Sequence, residues 1–521
     1  MSASTERKIR KDAITSGTDR KTQARLEEER KKKKEKTKWT VGTIICVVLV
    51  VAILILGSSI PAKTATAATI NGVKHTAAEV NYYVGAQYVY FVNQYGSYAS
   101  YFGLDTSYGV SGLANQVYDE SDGTTWLDYF KQAALSQMSQ VQAFTDYANA
   151  NNITLTEDEI AEVDEEISYI SENAASYGYK NADAYFAANY GTGVTTKLVR
   201  QCLLDSSLAS KAYTEKSESF TYTDEELEDY YQSQDGDYDY FTYLYYTVTA
   251  ETVTTADADG NETTDVTDET MAAAQEKAEA ILASFGESKA KTAEEAETAL
   301  NEAIAAAGED GTASTASSTR GSSLGVYKDF MKSASALGEG TVVENSSSTG
   351  YSIGIFLERN DNHYNTQNFR HILIQAEANE DGEYTEEALA AAKTQIDEIY
   401  AEYKAGDQTE DAFAELANTY SEDSGSNTTG GLYEDVYKGQ MVSEINDWLF
   451  DARQPGDTEV CFGESSSYQG YHIVYYVGEG DLYSNVLARS AKSSEDLSSW
   501  VEEVTADYTA VEAGGMRYVG K

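Results

Sequence analysis

Two of the four histidines in this chain of 521 residues fall inside apolar runs, His371 in FRHILIQA (369–376) and His472 in GYHIVYYV (470–477). Both runs are bounded by polar loops, so each histidine is expected on a strand. Taken singly, a histidine on an apolar strand is a hydrogen-bonded core residue before it is a catalyst. Between the two runs lies SEDSGS (421–426), with Ser421 first and Asp423 two residues on; alone, an aspartate in such a Ser/Gly loop is a turn residue. GGL (430–432), KGQM (438–441) and WLF (448–450) follow. Their apolar side chains include Met441 and Phe450, which belong to a core on any reading. No metal is expected, because four scattered histidines and the cysteines Cys202 and Cys461 offer no ligand spacing, and no cofactor is implied. His75 and His363 read as surface or linker residues.

The elements that must position these groups come in a definite order. The first apolar strand is followed by an Ala/Glu-rich helix (386–404), a second helical segment leading into the SEDSGS loop, the three short motifs, and the closing strand. That order, with one histidine in the first strand and one in the last, resembles the parvulin family of peptidyl-prolyl isomerases over about a fifth of the chain. The resemblance implies that His371 and His472 lie side by side on the floor of a site, joined by hydrogen bonds. It places Asp423, where some parvulins carry Cys and others Asp, beside the substrate carbonyl, either polarising the amide or tuning the histidines. It gives Ser421 the support of the loop, and it makes Leu432, Met441, Ile445 and Phe450 a cup for the proline ring. Ile445 stands where an aromatic residue is common in that family.

The chemistry this set would serve needs no covalent bond. Rotation about an X–Pro bond faces a barrier of ~18–20 kcal/mol from the partial double bond of the amide. A catalyst must bind the twisted amide better than either planar form. An apolar hollow for the ring, polar groups at the carbonyl and exclusion of water meet that requirement. The loop after the first strand, QAEANEDGEYTEE (375–387), is acidic, so a phosphorylated substrate is not expected.

Charge is unevenly distributed. The chain carries a formal net charge of −48, yet residues 1–38 hold 14 of the 38 Lys/Arg and 7 of the 86 Asp/Glu. The remainder is strongly acidic, which argues against nucleic acid as a partner and gives a solvated surface. Between the two regimes lies WTVGTIICVVLVVAILILGSSI (39–60), uncharged and long enough to span a bilayer. The basic tail places the N-terminus in the cytoplasm and the bulk of the chain outside it, at the cell membrane. A retained single-pass signal anchor and a signal peptide cut near 65–67 both fit; the length of the run favours the anchor. Residues 1–38 read as a disordered tail. Cys46 lacks the small residues that precede a lipidated cysteine, and Cys202 and Cys461 make no disulfide framework.

Residues 69–235 read as a helical domain. Thr76 with Glu79 forms a capping box after an Asn71-Gly72 turn, and Thr156, Asn181 and Thr223 are further caps. This opening and TDEELEDYY (223–231) resemble the N-terminal domain of the SurA and PrsA group of foldases. Residues 240–360 repeat the order of 365–479, with Tyr243 where the second copy has His371 and Ser352 where it has His472, as in a degenerate, non-catalytic copy. Residues 480–521 are expected to return to the N-terminal domain, with a helix over 494–507 and a strand at MRYV (516–519). The expected fold class is therefore α+β: an anchor helix, a helical domain and two parvulin-like domains. The partners implied are unfolded or partly folded exported proteins. Two other functions fit the same chain: a binding chaperone with a vestigial site, and a surface scaffold suggested by the 41 tyrosines and the acidity.

Overall fold

A computed structural model describes residues 3–15, 20–56, 58–256 and 262–521, excluding the side chains of 3, 13–15, 20–24, 26, 51–56 and 256. The fold is α+β, with helices and small antiparallel sheets. The chain divides into two compact units, Met1–Phe220 with Asp496–Lys521, and Thr221–Glu495.

In the first unit a hairpin pairs Thr66–Ile70 with Val73–Thr76. Asn71 and Gly72 turn it at φ of 44° and 80°, the conformation an Asn-Gly hairpin turn requires. Thr76 and Glu79 close a capping box on helix Ala77–Tyr95, and Thr156 does the same with Glu159 on helix Glu157–Asn173. Each box satisfies N–H groups that the helix cannot. The core between helices Ala77–Tyr95 and Trp126–Ala150 is built on Trp126, Phe130, Leu104 and Leu113, all essentially buried. Gly85 lets Tyr190 close on the first of these helices, since a Cβ there would lie 2.5 Å from Tyr190 Cα. From the C-terminal segment, Val511–Glu512 adds a strand to the hairpin and Trp500 stacks on Phe144 at 5.1 Å. The strand expected at 516–519 is instead a 3-10 turn, Gly514–Tyr518. Close packing sets its start, for a Cβ on Gly515 would lie 2.4 Å from the Thr66 carbonyl oxygen.

The helix that contains the expected anchor runs Arg20–Leu56, so it begins well inside the basic tail. Among the described residues no helix is long and apolar enough to cross a membrane. The anchor expected over 39–60 thus finds no support in these elements; the side chains of 51–56 and all of residue 57 lie outside the description.

The second unit carries two four-stranded antiparallel sheets of one topology. The first has the order Ser314–Arg320, Tyr240–Thr249, Gly350–Asn360, Gly340–Glu344; the second has Leu432–Val436, Asn365–Gln375, Gln469–Leu482, Thr458–Glu464. Two helices cover one face of each sheet, Asp268–Gly286 with Ala293–Ala306 and Glu386–Ala405 with Glu410–Tyr420. The first copy also has a hairpin, Thr252–Ala256 with Glu262–Val266, that the second lacks. Register corrects one assignment. The Gly338 N–H bonds the Phe356 carbonyl as the Gly456 N–H bonds that of Tyr476, and Ser352 pairs with Val343 as His472 pairs with Cys461, so Ser352 is the counterpart of His472. On the other strand Tyr243 pairs with Phe356 as Phe369 does with Tyr476, and Tyr245 with Gly354 as His371 does with Val474; the counterpart of His371 is therefore Tyr245, two residues beyond Tyr243. Ser352 bonds Thr247 at 2.8 Å, and a Cβ on Gly354 would meet the Tyr327 ring at 2.7 Å.

A buried ionic knot ties helix Asp224–Ser233 to the first sheet. Asp239, with its side chain 2% exposed, accepts from Tyr231 Oη at 2.7 Å and pairs with Arg359 at 2.5 Å. The Arg359 side chain is 37% exposed, so losing Asp239 leaves it to solvent and costs about 1–3 kcal/mol, mainly through the hydrogen bonds lost. Asp239→Ala is expected to destabilise the second unit by that order, seen as a lower midpoint in chemical denaturation.

Candidate active site

Strand pairing brings the two histidines together. His371 and His472 project from the same face of adjacent strands as diagonal neighbours, with Nδ1 atoms 3.1 Å apart and rings nearly parallel at 17°. Both are buried. On the far side of each ring lies another partner: His371 Nε2 is 2.8 Å from Asp423 Oδ2, and His472 Nε2 is 3.1 Å from Tyr468 Oη.

These contacts form one directed chain. A carboxylate only accepts, so His371 Nε2 donates to Asp423. With both imidazoles neutral, His371 Nδ1 must then accept from His472 Nδ1–H, which leaves His472 Nε2 to accept the Tyr468 hydroxyl. Every donor points toward Asp423. The same contacts set the electrostatics of Asp423 and His472. The hydrogen bond from His371 holds the Asp423 carboxyl well below the usual range, against its burial, and Ser426 and Tyr433 add to that. Burial, then the nearby His371, push His472 down to about 3, so its ring is neutral at ordinary pH. Burial and the Asp423 hydrogen bond push Tyr433 up to about 12.

Asp423 is thoroughly engaged. Its Oδ2 also accepts from Ser426 Oγ at 2.5 Å and Tyr433 Oη at 3.0 Å, while Oδ1 takes the Gly425 N–H at 3.3 Å. Such a carboxylate anchors the network; it is not a free base. Ser421 Oγ accepts the N–H groups of Leu373 and Asp423, pinning the loop to the strand beside His371. Arg370 holds the same loop from behind, bonding the carbonyls of Thr429 and Gly430 at 3.0 Å and Glu410 at 2.9 Å.

The expected cup residues are not equivalent. Met441 and Phe450 are half-buried at the edge of a cluster around Phe369, Trp448, Leu449 and Val474. Ile445 is 0% exposed within that cluster, so it is a core residue and presents no surface to a substrate. Leu432 is half-exposed on the strand beside Arg370. Phe450 meets Tyr364 edge-on at 6.0 Å. Val442 belongs with the site as well: a Cβ on Gly463 would lie 3.3 Å from its Cγ2 and 2.6 Å from His472 Nε2.

Sequence reasoning missed Tyr468, Tyr433, Ser426, Val442 and Gly463. Tyr468 stands four residues before His472 and Ser426 three after Asp423, so adjacency was the available signal. Gly463 becomes informative only through the pairing that sets Cys461 opposite His472. Among the described residues no cluster of His, Cys, Asp and Glu has the makings of a metal site.

Comparison with known proteins agrees with this geometry. Residues 371–478 match the Rotamase family, the PPIC-type PPIase domain. The chain is 33% identical over 144 residues to Chaperone SurA of Hahella chejuensis (strain KCTC 2396), a match spanning 26% of this chain and 30% of that protein. Among solved structures, peptidylprolyl isomerase PrsA of Bacillus anthracis is 21% identical, covering 28% of this chain and 59% of that one, with a TM-score of 0.18. Foldase protein PrsA of Streptococcus pneumoniae is 13% identical, covering 77% and 94%, with a TM-score of 0.23. Scores this low carry no argument about the arrangement of the whole chain.

Two outcomes test the geometry. Gly463→Ala forces a methyl group onto His472 and is expected to lower stability by about 1–3 kcal/mol, with the imidazole NMR signals of both histidines displaced. The second concerns acid. An unfolded histidine titrates near 6.5 and His472 near 3, so between those values the unfolded chain binds a proton that the native site refuses. Stability therefore falls as pH drops through that window, by at most about 1.4 kcal/mol per unit from this group. Asp423 adds a loss of the same sign below about 4. Thermal midpoints from pH 7 to 4 should fall less steeply in His472→Gln than in the unaltered chain.

Proposed function

With residues 371–478 a parvulin-type rotamase domain, we propose that this protein is a foldase that isomerises X–Pro bonds and holds unfolded chains while it does so. The observation that carries the reading is the directed chain Tyr468–His472–His371–Asp423 beside half-buried apolar side chains. Isomerisation needs no nucleophile, and none is free here. It needs a rigid, partly dry surface whose dipoles are already oriented when the amide twists. Buried, fully bonded imidazoles and an anchored carboxylate supply that rigidity. Asp423 acts in this scheme by fixing the histidines, since its Oδ2 already accepts three hydrogen bonds.

The clients are exported proteins, met outside the cytoplasm, with the chain tethered through residues 39–60. What supports this is the sequence: a basic segment followed by an uncharged run, then a strongly acidic remainder. Chains folding there wait tens of seconds for an uncatalysed proline. The first copy works without catalysis, because Tyr245 and Ser352 stand where a histidine pair would need to be. Acidic side chains after the first strand of the second copy disfavour phosphorylated substrates.

The full chain should speed a proline-limited refolding reaction and cis/trans exchange in a proline peptide followed by NMR. His472→Ala and Asp423→Ala, each checked for folding by circular dichroism, are expected to lose about tenfold or more in exchange rate. Unchanged exchange in both variants would defeat the isomerase reading and leave a chaperone with a vestigial site.

A further inference from the structure

Between the two sheets of the second unit lies a cleft of about 390 Å3 that the isomerase site does not use. That volume is within the ~300–1,000 Å3 usual for ligand pockets. Its walls come from both copies: Tyr240 from the first, Asn362 and Tyr364 from the crossover, Tyr437 and Lys438 from the second, and Tyr483 from the helix after it. The rings are ordered. Tyr437 stacks on Tyr483 at 4.8 Å and 14°, and Tyr483 lies 5.5 Å from Tyr364.

The cleft holds an unanswered hydrogen-bond acceptor. Asn362 is 0% exposed and its amide nitrogen is committed to Tyr231 Oη at 2.8 Å and the Tyr238 carbonyl at 2.9 Å. Its Oδ1 has no partner, nor has the buried Ser484 hydroxyl next to Tyr483. An unpaired buried polar atom is costly, and a ligand offering an N–H relieves it.

A short stretch of chain links the cleft to the candidate active site. Lys438 and Gly439 line it, and Met441 of the apolar hollow is two residues on, a reach of about 7 Å at most. Tyr364 meets Phe450 edge-on at 6.0 Å, and the Lys438 ammonium lies over both rings, at 4.5 and 5.7 Å.

Resting on the isomerase reading for its neighbour, we infer that this cleft is a second client subsite, binding an extended stretch of unfolded polypeptide a few residues from the proline being turned. The tyrosine faces take aromatic or aliphatic side chains, Asn362 Oδ1 takes a backbone N–H, and the non-catalytic copy serves as one jaw of the grip. This occupant is favoured over a small molecule by the mixture of aromatic walls with a backbone-type acceptor, and by the short path to the hollow.

Thr242, half-exposed on the first copy's wall and remote from the histidine network, is the place to block the cleft. The measurements on the full chain are cis/trans exchange of a short capped proline tetrapeptide, and the Kd of a long unfolded peptide carrying aromatic residues near one proline. Thr242→Arg is expected to leave tetrapeptide exchange unchanged and weaken the long peptide by about fivefold or more. Tyr437→Ala, which removes a ring instead of adding bulk, is read by the same Kd and should weaken it likewise. A long-peptide Kd within twofold of the unaltered chain in both variants, or equal losses on short and long peptides in Thr242→Arg, overturns the subsite. Should the unaltered chain show no tetrapeptide exchange, the isomerase reading fails on its own, and the Kd comparison still decides the cleft.

Discussion

The arrangement of the second sheet turns on one contact, two imidazole nitrogens 3.1 Å apart across neighbouring antiparallel strands. Such a contact is possible only if one nitrogen donates and the other accepts. Each ring's second nitrogen must therefore be settled elsewhere, and the structure settles both, with Asp423 on one flank and Tyr468 on the other. A slip of one residue in the pairing would turn a histidine to the opposite face, where the helix-covered core lies. The strand register, the bare Cα of Gly463 and the loop pinned by Ser421 and Arg370 thus all serve one geometric requirement.

The first copy shows the same frame with that requirement lifted. Its strand order is identical, and its two-helix face packs around Leu244, Ile281, Ile353 and Ile355 much as the other packs around Ile372, Ile396 and Ile473. What differs is the opposite face. With Tyr245 and Ser352 at the paired positions, Tyr327 packs against Gly354, and an apolar cluster of Phe241, Tyr243, Leu324, Tyr327, Met331 and Phe356 closes the space. Burying apolar rings there needs no compensating network, whereas burying two imidazoles does. The frame can therefore persist without the site, and its free edge becomes available for contact with a chain.

Local chemistry made part of this visible beforehand. Thr76, Thr156, Asn181 and Thr223 do cap helices, because a cap depends on residues within one turn. The histidine pair and Asp423 were singled out through the resemblance to parvulins, which rests on the order of the elements around them. Reasoning failed where the answer depends on pairing between distant segments. Tyr243 was matched to His371 along the chain, yet the ladder puts Tyr245 there. Tyr468 and Tyr433 look like ordinary members of a tyrosine-rich chain until the loops bring their hydroxyls to the network. Ile445 was read as surface because its neighbours Met441 and Phe450 are, although the turn of helix Ser443–Phe450 faces it inward. The uncharged run at 39–60 is a composition signal, and composition does not specify which helix it joins.

The electrostatic character of the site also follows from its bonding. The protein is strongly acidic, and a carboxylate at its active centre would ordinarily be one more charge for solvent to stabilise. Asp423 is instead held by three donors on one oxygen, so its charge is spread into dipoles that converge on it. Beside that anion lie two buried rings bonded in series to it. An amide losing its conjugation as it twists gains pyramidal, more basic nitrogen and a less polar carbonyl, so strong hydrogen bonds to the carbonyl from water would hold it planar. A floor whose own donors are all directed away toward Asp423, set beside apolar Met441 and Val442, offers the carbonyl little reason to stay conjugated. On that argument the network works as much by what it withholds from the substrate as by what it presents.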